Sequence, residues 1–213
     1  MIGRGLRRIK VPIKYYLYVS ETKVQMLHSQ IPRRMRKSIE AEFTANVAVV
    51  AARVKKAAEL DPTDTIARTA VVSAYLGRTV TTGPVGQPGE YVHDTCRMRY
   101  GRVTDYAALI AFFGGSREGI DVGLIGSPDS LVGAARNSDA GHDMLYYTLQ
   151  FLEAAAARPP HPYRTRPQDD FRRAYEAVFD ALPALDLDVE FLAKVVHREF
   201  GLVVASPIYV AMA

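Results

Sequence analysis

The stretch L-V-V-A-S-P-I-Y-V-A-M-A (residues 202–213) is apolar at nearly every position. A strand with this pattern has no polar face, which is typical of a strand at the centre of a sheet that helices cover. The stretch is too short to cross a bilayer, which takes about 20 residues. We therefore expect it to form a central strand of the fold.

Further strand patterns lie at the start and in the middle of the chain. Residues 14–19 (K-Y-Y-L-Y-V) are rich in aromatic and β-branched side chains, and residues 91–103 alternate between polar and apolar. Residues 107–115 and 119–126 have the composition of two buried strands joined by a tight turn, which predicts a β-hairpin. We expect the N-terminal strand, like the C-terminal one, to lie centrally in the sheet.

Apolar residues spaced three or four positions apart predict the helices. Ser20 is a candidate N-cap, Asp61-Pro62 ends the second helix, and Gly77 is placed as a left-handed cap of the third. The predicted helices span residues 20–31, 38–60, 64–76, 143–157, 168–182 and 188–200, and the Gly- and Pro-rich segment 81–90 is predicted to be a mobile loop. Strands and helices in this order predict an α+β fold: a mixed sheet with helices packed on it in clusters.

The charge of the chain is unevenly distributed. The formal net charge is +4, but residues 1–60 carry 13 Lys and Arg against four Asp and Glu. We expect residues 1–13 to be a basic flexible extension and residues 14–213 to form a single α+β domain. Nucleic-acid binding through Arg4, Arg7, Arg8 and Lys10 is one alternative, although no aromatic side chains interleave to stack on bases.

The cysteine and histidine content excludes several kinds of site. A single cysteine, Cys96, excludes an internal disulfide framework and a multi-cysteine zinc site. On a strand, His93 and Cys96 would point to opposite faces, so we do not expect them to share a metal. No signal peptide or membrane span is predicted, and we expect a cytoplasmic protein without cofactor or metal.

The stretch D-V-G-L-I-G-S-P-D-S-L-V-G (residues 121–133) raises the question of a phosphate-binding loop. Its glycines fit neither G-x-x-x-x-G-K-S/T nor G-x-G-x-x-G. A weaker anion site at Ser127 is an alternative, but Pro128 removes a backbone donor and Asp129 adds a carboxylate there. The favoured interpretation is a strand that leaves the sheet through a Ser-capped turn.

Two hypotheses about a site follow from these residues. A small ligand would be held by glycines that allow close approach and by polar or cationic side chains: Gly114, Gly115, Gly126, Ser127, Arg99 and Arg117. The competing hypothesis is a small hydrolase that acts on an anionic substrate near Ser127, with His142 as base and Arg99 or Arg117 as anion clamp. Because Ser127 lacks a G-x-S-x-G elbow, no catalytic residue is assigned and a non-enzymatic protein is favoured.

Several blocks of the sequence resemble one family. They are Y-L-Y-V-S-E-T-K-V (16–24), M-R-Y-G (98–101), F-F-G-G (112–115), V-G-L-I-G-S (122–127), E-F-L-A-K (190–194) and S-P-I-Y-V-A (206–211). Together they resemble a bacterial, mainly actinomycete family known only as a domain of unknown function, from about residue 14 to the end. The resemblance implies a link to bacterial conflict or immunity systems. We therefore expect a binding or regulatory module, an accessory of such a system, whose partner is another protein or a small anionic ligand.

Overall fold

The structure is a computed structural model that describes residues 14–51, 64–104, 109–133, 144–157 and 169–213. Within these ranges the strands are β1 (Tyr16–Val19), β2 (Thr82–Gly83), β3 (Tyr91–Val103), β4 (Ile110–Arg117), β5 (Ile120–Gly126), β6 (Leu187–Glu199) and β7 (Leu202–Met212). The helices are α1 (Glu21–Gln30), α2 (Arg33–Ala51), α3 (Thr65–Thr79), α4 (Met144–Glu153) and α5 (Asp169–Asp180). Short 3₁₀ turns cover Pro128–Ser130 and Ala154–Ala157.

Five of the strands close into a ring. β3 pairs with β4, β4 with β5, β5 with β7, β7 with β6, and β6 again with β3. The β5–β7 contact is parallel and the other four contacts are antiparallel. The mixed sheet is therefore a small barrel, to which β1 adds beside β7 and β2 adds beside β3.

The barrel has an apolar interior and two covered outer faces. Phe113, Leu124 and Phe191 belong to a buried cluster without helical members, as expected for side chains inside the ring. One outer face packs against α4 and α5 through residues such as Phe112, and the other packs against α1, α2 and α3. The alternation of inward and outward side chains along each strand produces these three cores from one sheet.

The α+β class with a mixed sheet is confirmed, and so is the central position of the C-terminal strand. β7 pairs with β6 along one edge and with β5 and β1 along the other. β1 is less central than the sequence predicts, because it lies at the end of the strand order and, in the part of the chain that the structure describes, its outer side pairs only through an isolated bridge from Tyr18 to Leu131.

The predicted β4–β5 hairpin is also confirmed. Its turn is formed by Glu118 and Gly119, whose φ angles are 53° and 78°. Two residues with positive φ match the right-handed twist of the flanking strands, which is why glycine follows glutamate at this point.

Two predicted elements are wrong. The predicted helix at 188–200 is strand β6, in which Val189, Phe191 and Ala193 are fully buried and the intervening residues face outward. Gly77 does not cap α3, which continues to Thr79. A Cβ at Gly77 would meet nothing within 4 Å, so this glycine sits on an open face of the helix.

Two further predictions fall wholly or partly outside the described residues, and a third, for segment 81–90, lies within them. α2 begins at Arg33, before the predicted start, and its predicted end at Asp61-Pro62 lies outside the described residues. The basic extension 1–13 lies outside them as well. Segment 81–90, predicted as a mobile loop, contains β2 and a turn in which the Gln87 N–H donates to the Pro84 carbonyl.

Candidate functional site

A cavity of about 770 Å³ opens beside the barrel, where β1 passes into α1. Its walls come from the end of β1, the first half of α1, the start of α3, the segment after β5, the start of α4 and one residue each of β3, β6 and β7. Its lining includes Tyr18, Val19, Ser20, Glu21, Thr22, Lys23, Met26, Leu27, Thr65, Ile66, Tyr91, Ser127, Asp129, Ser130, Leu131, Val132, Gly133, Met144, Leu145, Tyr147, Lys194 and Ile208. Segments that are far apart in the chain therefore converge on one concave site.

One lining residue, Ile208, lies at an interruption in the pairing of β7. On the edge that β5 and β1 share, β5 pairs with residues up to Ala205 and β1 pairs from Tyr209 onward. The described chain provides no strand partner for residues 206–208 on that edge. Groups from the β1–α1 connection occupy this interruption instead, since the Ser20 N–H donates to the Ile208 carbonyl at 2.9 Å.

Lys23 occupies the same interruption. Its Nζ donates to the Ser206 hydroxyl oxygen at 2.7 Å and to the Pro207 carbonyl at 2.9 Å. Both acceptors are uncharged, and among the described residues Lys23 makes no ion pair. Burial lowers the pKa of Lys23 from its ordinary value of 10.5 to about 7, because an apolar environment disfavours the ammonium form. The cavity therefore contains an amine that loses its charge near neutral pH.

A group of hydroxyls lies on another part of the wall. The Tyr18 side chain is fully buried, which raises its pKa to about 12, while hydrogen bonds to the Ser130 side chain and the Ser127 backbone act in the opposite direction. Burial also raises the pKa of Tyr147, and a hydrogen bond to the Ser127 side chain opposes that shift. These four residues, here called the hydroxyl cluster, offer neutral hydrogen-bonding groups to a ligand.

The mouth of the cavity is apolar. Met26, Ile66, Val132 and Leu145 line it and are among the large hydrophobic side chains most exposed to solvent. Isolated exposed hydrophobic residues are ordinary, but a group of them around one concave site is typical of a binding surface. The arrangement suits a ligand with an apolar body and a polar end.

The candidate residues around the hairpin divide between cavity and core. Ser127 lines the cavity, and its Oγ accepts from the Asp129 N–H at 3.2 Å, as expected for the cap of a short turn. Gly126 lies against Tyr18 in the wall behind it. Gly114 and Gly115 do not line the cavity. A Cβ at Gly114 would lie 2.6 Å from the Phe179 ring, and a Cβ at Gly115 would lie 2.2 Å from the Arg97 carbonyl oxygen.

The two candidate arginines are not among the residues that line the cavity. Arg99 pairs with Asp186 at 3.1 Å and lies over the Phe179 ring, while Arg117 pairs with Asp94. His142 and the basic residues Arg4, Arg7, Arg8 and Lys10 lie outside the described residues. The structure thus brings Ser127 to the cavity without either arginine.

A second polar cluster surrounds Glu190 on the outer face of the barrel. Its carboxylate accepts hydrogen bonds from Lys14, from the Tyr209 hydroxyl at 2.6 Å and from the His93 ring at 2.9 Å. Burial acts to raise the pKa of Glu190, but these three hydrogen bonds outweigh it and lower the pKa to about 2. The Glu190 carboxylate is therefore surrounded by donors from two strands, β3 and β7, and from the N-terminal flank of β1.

Metal and thiol chemistry find little support in the described part of the chain. No group of three or more His, Cys, Asp and Glu residues there is arranged to hold a metal ion. Cys96 is buried, which raises the pKa of its thiol to about 11 and disfavours the nucleophilic thiolate.

Among the described helices, none combines the length and apolar character that a membrane crossing requires.

Sequence reasoning did not identify Lys23, although one local signal was available. Lys23 lies in the first turn of α1, where the helix macrodipole disfavours a cation. A lysine in the first turn of a helix that directly follows a strand is therefore unusual, and the Ser20 side chain before it makes no capping hydrogen bond. Its partners Ser206 and Pro207 are more than 180 residues away, and that contact could not be read from the sequence.

Comparison with known proteins gives one match. The model of a protein family described as a family of unknown function (DUF7019) matches residues 14–213. No curated protein and no solved structure matches the chain. The resemblance from about residue 14 onward to a domain of unknown function is confirmed, and the comparisons assign no role to the cavity.

Proposed function

The chain belongs to DUF7019, a family of unknown function, and from that premise we propose that the protein is a binding module for a small, largely apolar molecule held in the cavity beside Lys23. The observation that carries this proposal is a largely buried lysine in the wall of a cavity with exposed apolar side chains around it, where Lys23 has two uncharged hydrogen-bond acceptors and no ion pair within the described ranges. A polar anchor inside an apolar cleft is the usual composition of small-molecule sites.

The size of the cavity supports the same conclusion. Its volume of about 770 Å³ lies within the range of roughly 300–1,000 Å³ that is common for ligand pockets. The apolar mouth accommodates the body of the ligand, and the hydroxyl cluster with Lys23 orients its polar end. This site replaces the arginines as the proposed anchor, because Arg99 and Arg117 are occupied by Asp186 and Asp94.

The experiment uses 8-anilinonaphthalene-1-sulfonate, a probe with apolar rings and one polar end, and measures its binding by titration calorimetry. We expect saturable binding of one probe per chain. Val132→Trp, at the mouth of the cavity, is expected to reduce the affinity at least about tenfold by narrowing the entrance. Leu185→Trp is the matched control, because Leu185 is 62% exposed against 63% for Val132 but does not line the cavity.

The result that contradicts the proposal is equally specific. Equal loss of affinity in both variants, or binding of several probes per chain without saturation, would show that the probe binds general apolar surface rather than the cavity. A far-ultraviolet circular dichroism melt of each variant establishes that the fold is retained.

Three wider predictions from the sequence stay predictions. A cytoplasmic location suits a chain with one buried cysteine, and a link to bacterial conflict systems follows from the family resemblance. Nucleic-acid binding through the basic first residues is tested by the salt dependence of affinity for a random duplex, which should be steep if phosphate contacts dominate.

A further inference from the structure

The hydrogen bonds of Lys23 determine where its lone pair points. The Ser206 hydroxyl donates its own hydrogen to the Ile125 carbonyl at 3.2 Å, so the Ser206 oxygen is the acceptor for Lys23. The Pro207 carbonyl is also an acceptor. A neutral amine has two N–H bonds and one lone pair, and both N–H bonds are directed at β7. The lone pair then points away from these two acceptors on β7, and Lys23 is one of the residues that line the cavity.

The surroundings of Lys23 favour the neutral amine. The other titratable side chains that line the cavity are Tyr18, Glu21, Tyr91, Asp129, Tyr147 and Lys194. Burial alone accounts for the lowered pKa of Lys23, and its two hydrogen-bond partners are uncharged. A buried amine without a carboxylate partner is more stable without its proton.

We propose that Lys23 is a nucleophilic amine that condenses with the carbonyl group of an aldehyde bound in the cavity. This inference rests on the proposed small-molecule function and names its ligand class: an aldehyde with an apolar body. The activation of a lysine by burial in an apolar pocket is an established route to imine formation.

The condensation is balanced by the groups present. The Lys23 lone pair attacks the carbonyl carbon and a C–N bond forms. The carbonyl oxygen leaves as water and takes up the two hydrogens of the amine, so that an imine remains and no oxidant or reductant is consumed. Proton uptake by the imine restores one N–H, which can donate to the Pro207 carbonyl as the amine did.

The test treats the full chain at pH 7 with a limiting amount of hexanal and sodium cyanoborohydride, which reduces an imine to a stable secondary amine. Peptide mapping by mass spectrometry then measures the rate of adduct formation at each lysine. We expect Lys23 to react at least about tenfold faster than Lys194, because about half of an amine with a pKa near 7 is unprotonated at pH 7, far more than for a lysine with the ordinary value of 10.5. Lys194 is a suitable internal comparison, since it also lines the cavity but pairs with Glu90 at 3.3 Å.

Two further measurements keep the inference falsifiable. Lys23→Met is expected to abolish the fast adduct, whereas Lys37→Met, at an exposed position of α2 that does not line the cavity, is expected to leave it unchanged. Because Lys23→Met removes the donors to Ser206 and Pro207 and could impair folding, competitive acetylation of the wild-type chain with trace acetic anhydride gives the same information without a variant. The acetylation rate of Lys23 is expected to reach half of its maximum near pH 7.

The outcomes separate this inference from the proposed function. Adducts spread evenly over the lysines, or Lys23 less reactive than Lys194, would overturn the nucleophilic role and leave Lys23 as a structural donor to β7. If the sulfonate probe still binds with the expected stoichiometry in that case, the cavity remains a binding site. If the probe and the aldehyde both fail to bind, the proposed function is overturned together with the inference.

Discussion

The hydroxyl oxygen of Tyr18 occupies the space where a Cβ of residue 126 would lie, since a Cβ built at Gly126 would be 2.2 Å from it. Tyr18 is fully buried and cannot move aside cheaply. The φ angle of Gly126 is not among the positive ones, so the glycine is required by this close approach rather than by an unusual backbone conformation. Through this contact β1 packs closely against the end of β5, beside the cavity.

Gly126→Ala is therefore expected to destabilise the protein by about 1–3 kcal/mol, the usual cost of overpacking a core. Urea denaturation monitored by circular dichroism measures the free energy of unfolding. Tyr18→Phe in the same chain should recover part of the loss, because it removes the nearest atom while the ring carbon at 2.8 Å remains.

Gly77→Ala is the matched control for this substitution. A Cβ there meets nothing within 4 Å, and Gly77 lies inside α3. We expect a gain of about 0.8–1 kcal/mol from helix propensity. If Gly126→Ala and Gly77→Ala changed the free energy of unfolding equally, the close approach of Gly126 and Tyr18 would not contribute to the effect of the substitution.

Ser127→Ala is expected to cost about 1 kcal/mol of unfolding free energy through loss of the cap on Asp129. The affinity for the sulfonate probe should change little, because Ser130 and Tyr147 remain in the hydroxyl cluster. Thermal denaturation and calorimetry on the same sample measure both quantities. Unchanged stability together with lost binding or turnover would instead favour the hydrolase hypothesis with Ser127 as nucleophile.

The lowered pKa of Lys23 predicts how stability depends on pH. Between its folded pKa of about 7 and its ordinary value of 10.5, the unfolded chain holds a proton that the folded chain does not. Stability therefore rises with pH in this interval, by at most about 1.4 kcal/mol per pH unit for one proton. The free energy of unfolding of the wild type, minus that of Lys23→Met, should increase from pH 7 to pH 9.5. A flat difference would indicate that Lys23 keeps its proton in the folded state.

Glu190 has a pH dependence of the same sign in the acid range. Its folded pKa of about 2 is below the ordinary 4.5, so its contribution is complete above pH 4.5 and is lost as the pH falls toward 2. Glu190→Gln is expected to cost about 1–3 kcal/mol at pH 7 and progressively less in acid. Glu90→Gln, which removes an exposed pairing with Lys194, should cost less than about 1 kcal/mol. A cost for Glu190→Gln that does not change with pH would contradict this account.

Local patterns in the sequence were sufficient for most strands of the barrel. The alternation in 91–103, the hairpin at 110–126 and the continuous apolar run at 202–212 correspond to β3, β4–β5 and β7. β6 was mistaken for a helix because Val189, Phe191, Leu192, Val195 and Val196 also fit helical spacing. Its strand pairing with β3 and β7 is a long-range effect that overrides the local pattern.

The candidate site was harder to predict than the fold. Ser127 was identified because a strand end followed by Ser-Pro-Asp is visible in the sequence, and it does line the cavity. Lys23 forms its hydrogen bonds at an interruption in the pairing of β7. The position of this interruption depends on where the pairing with β5 ends and the pairing with β1 begins. Such a relation arises only in the assembled barrel, and a single sequence contains no direct signal for it.

The closed ring also constrains how the protein can be made. β7 joins β5 to β6, and every strand it pairs with precedes it in the chain. During translation, which delivers the N-terminal strands first, the edges of β5 and β6 that receive β7 must stay open until residues 202–212 have left the ribosome. Such long-range closure is slow compared with hairpin formation. The nascent chain therefore passes through a stage with two unpaired strand edges, at which a chaperone or a second nascent chain can bind before the barrel closes.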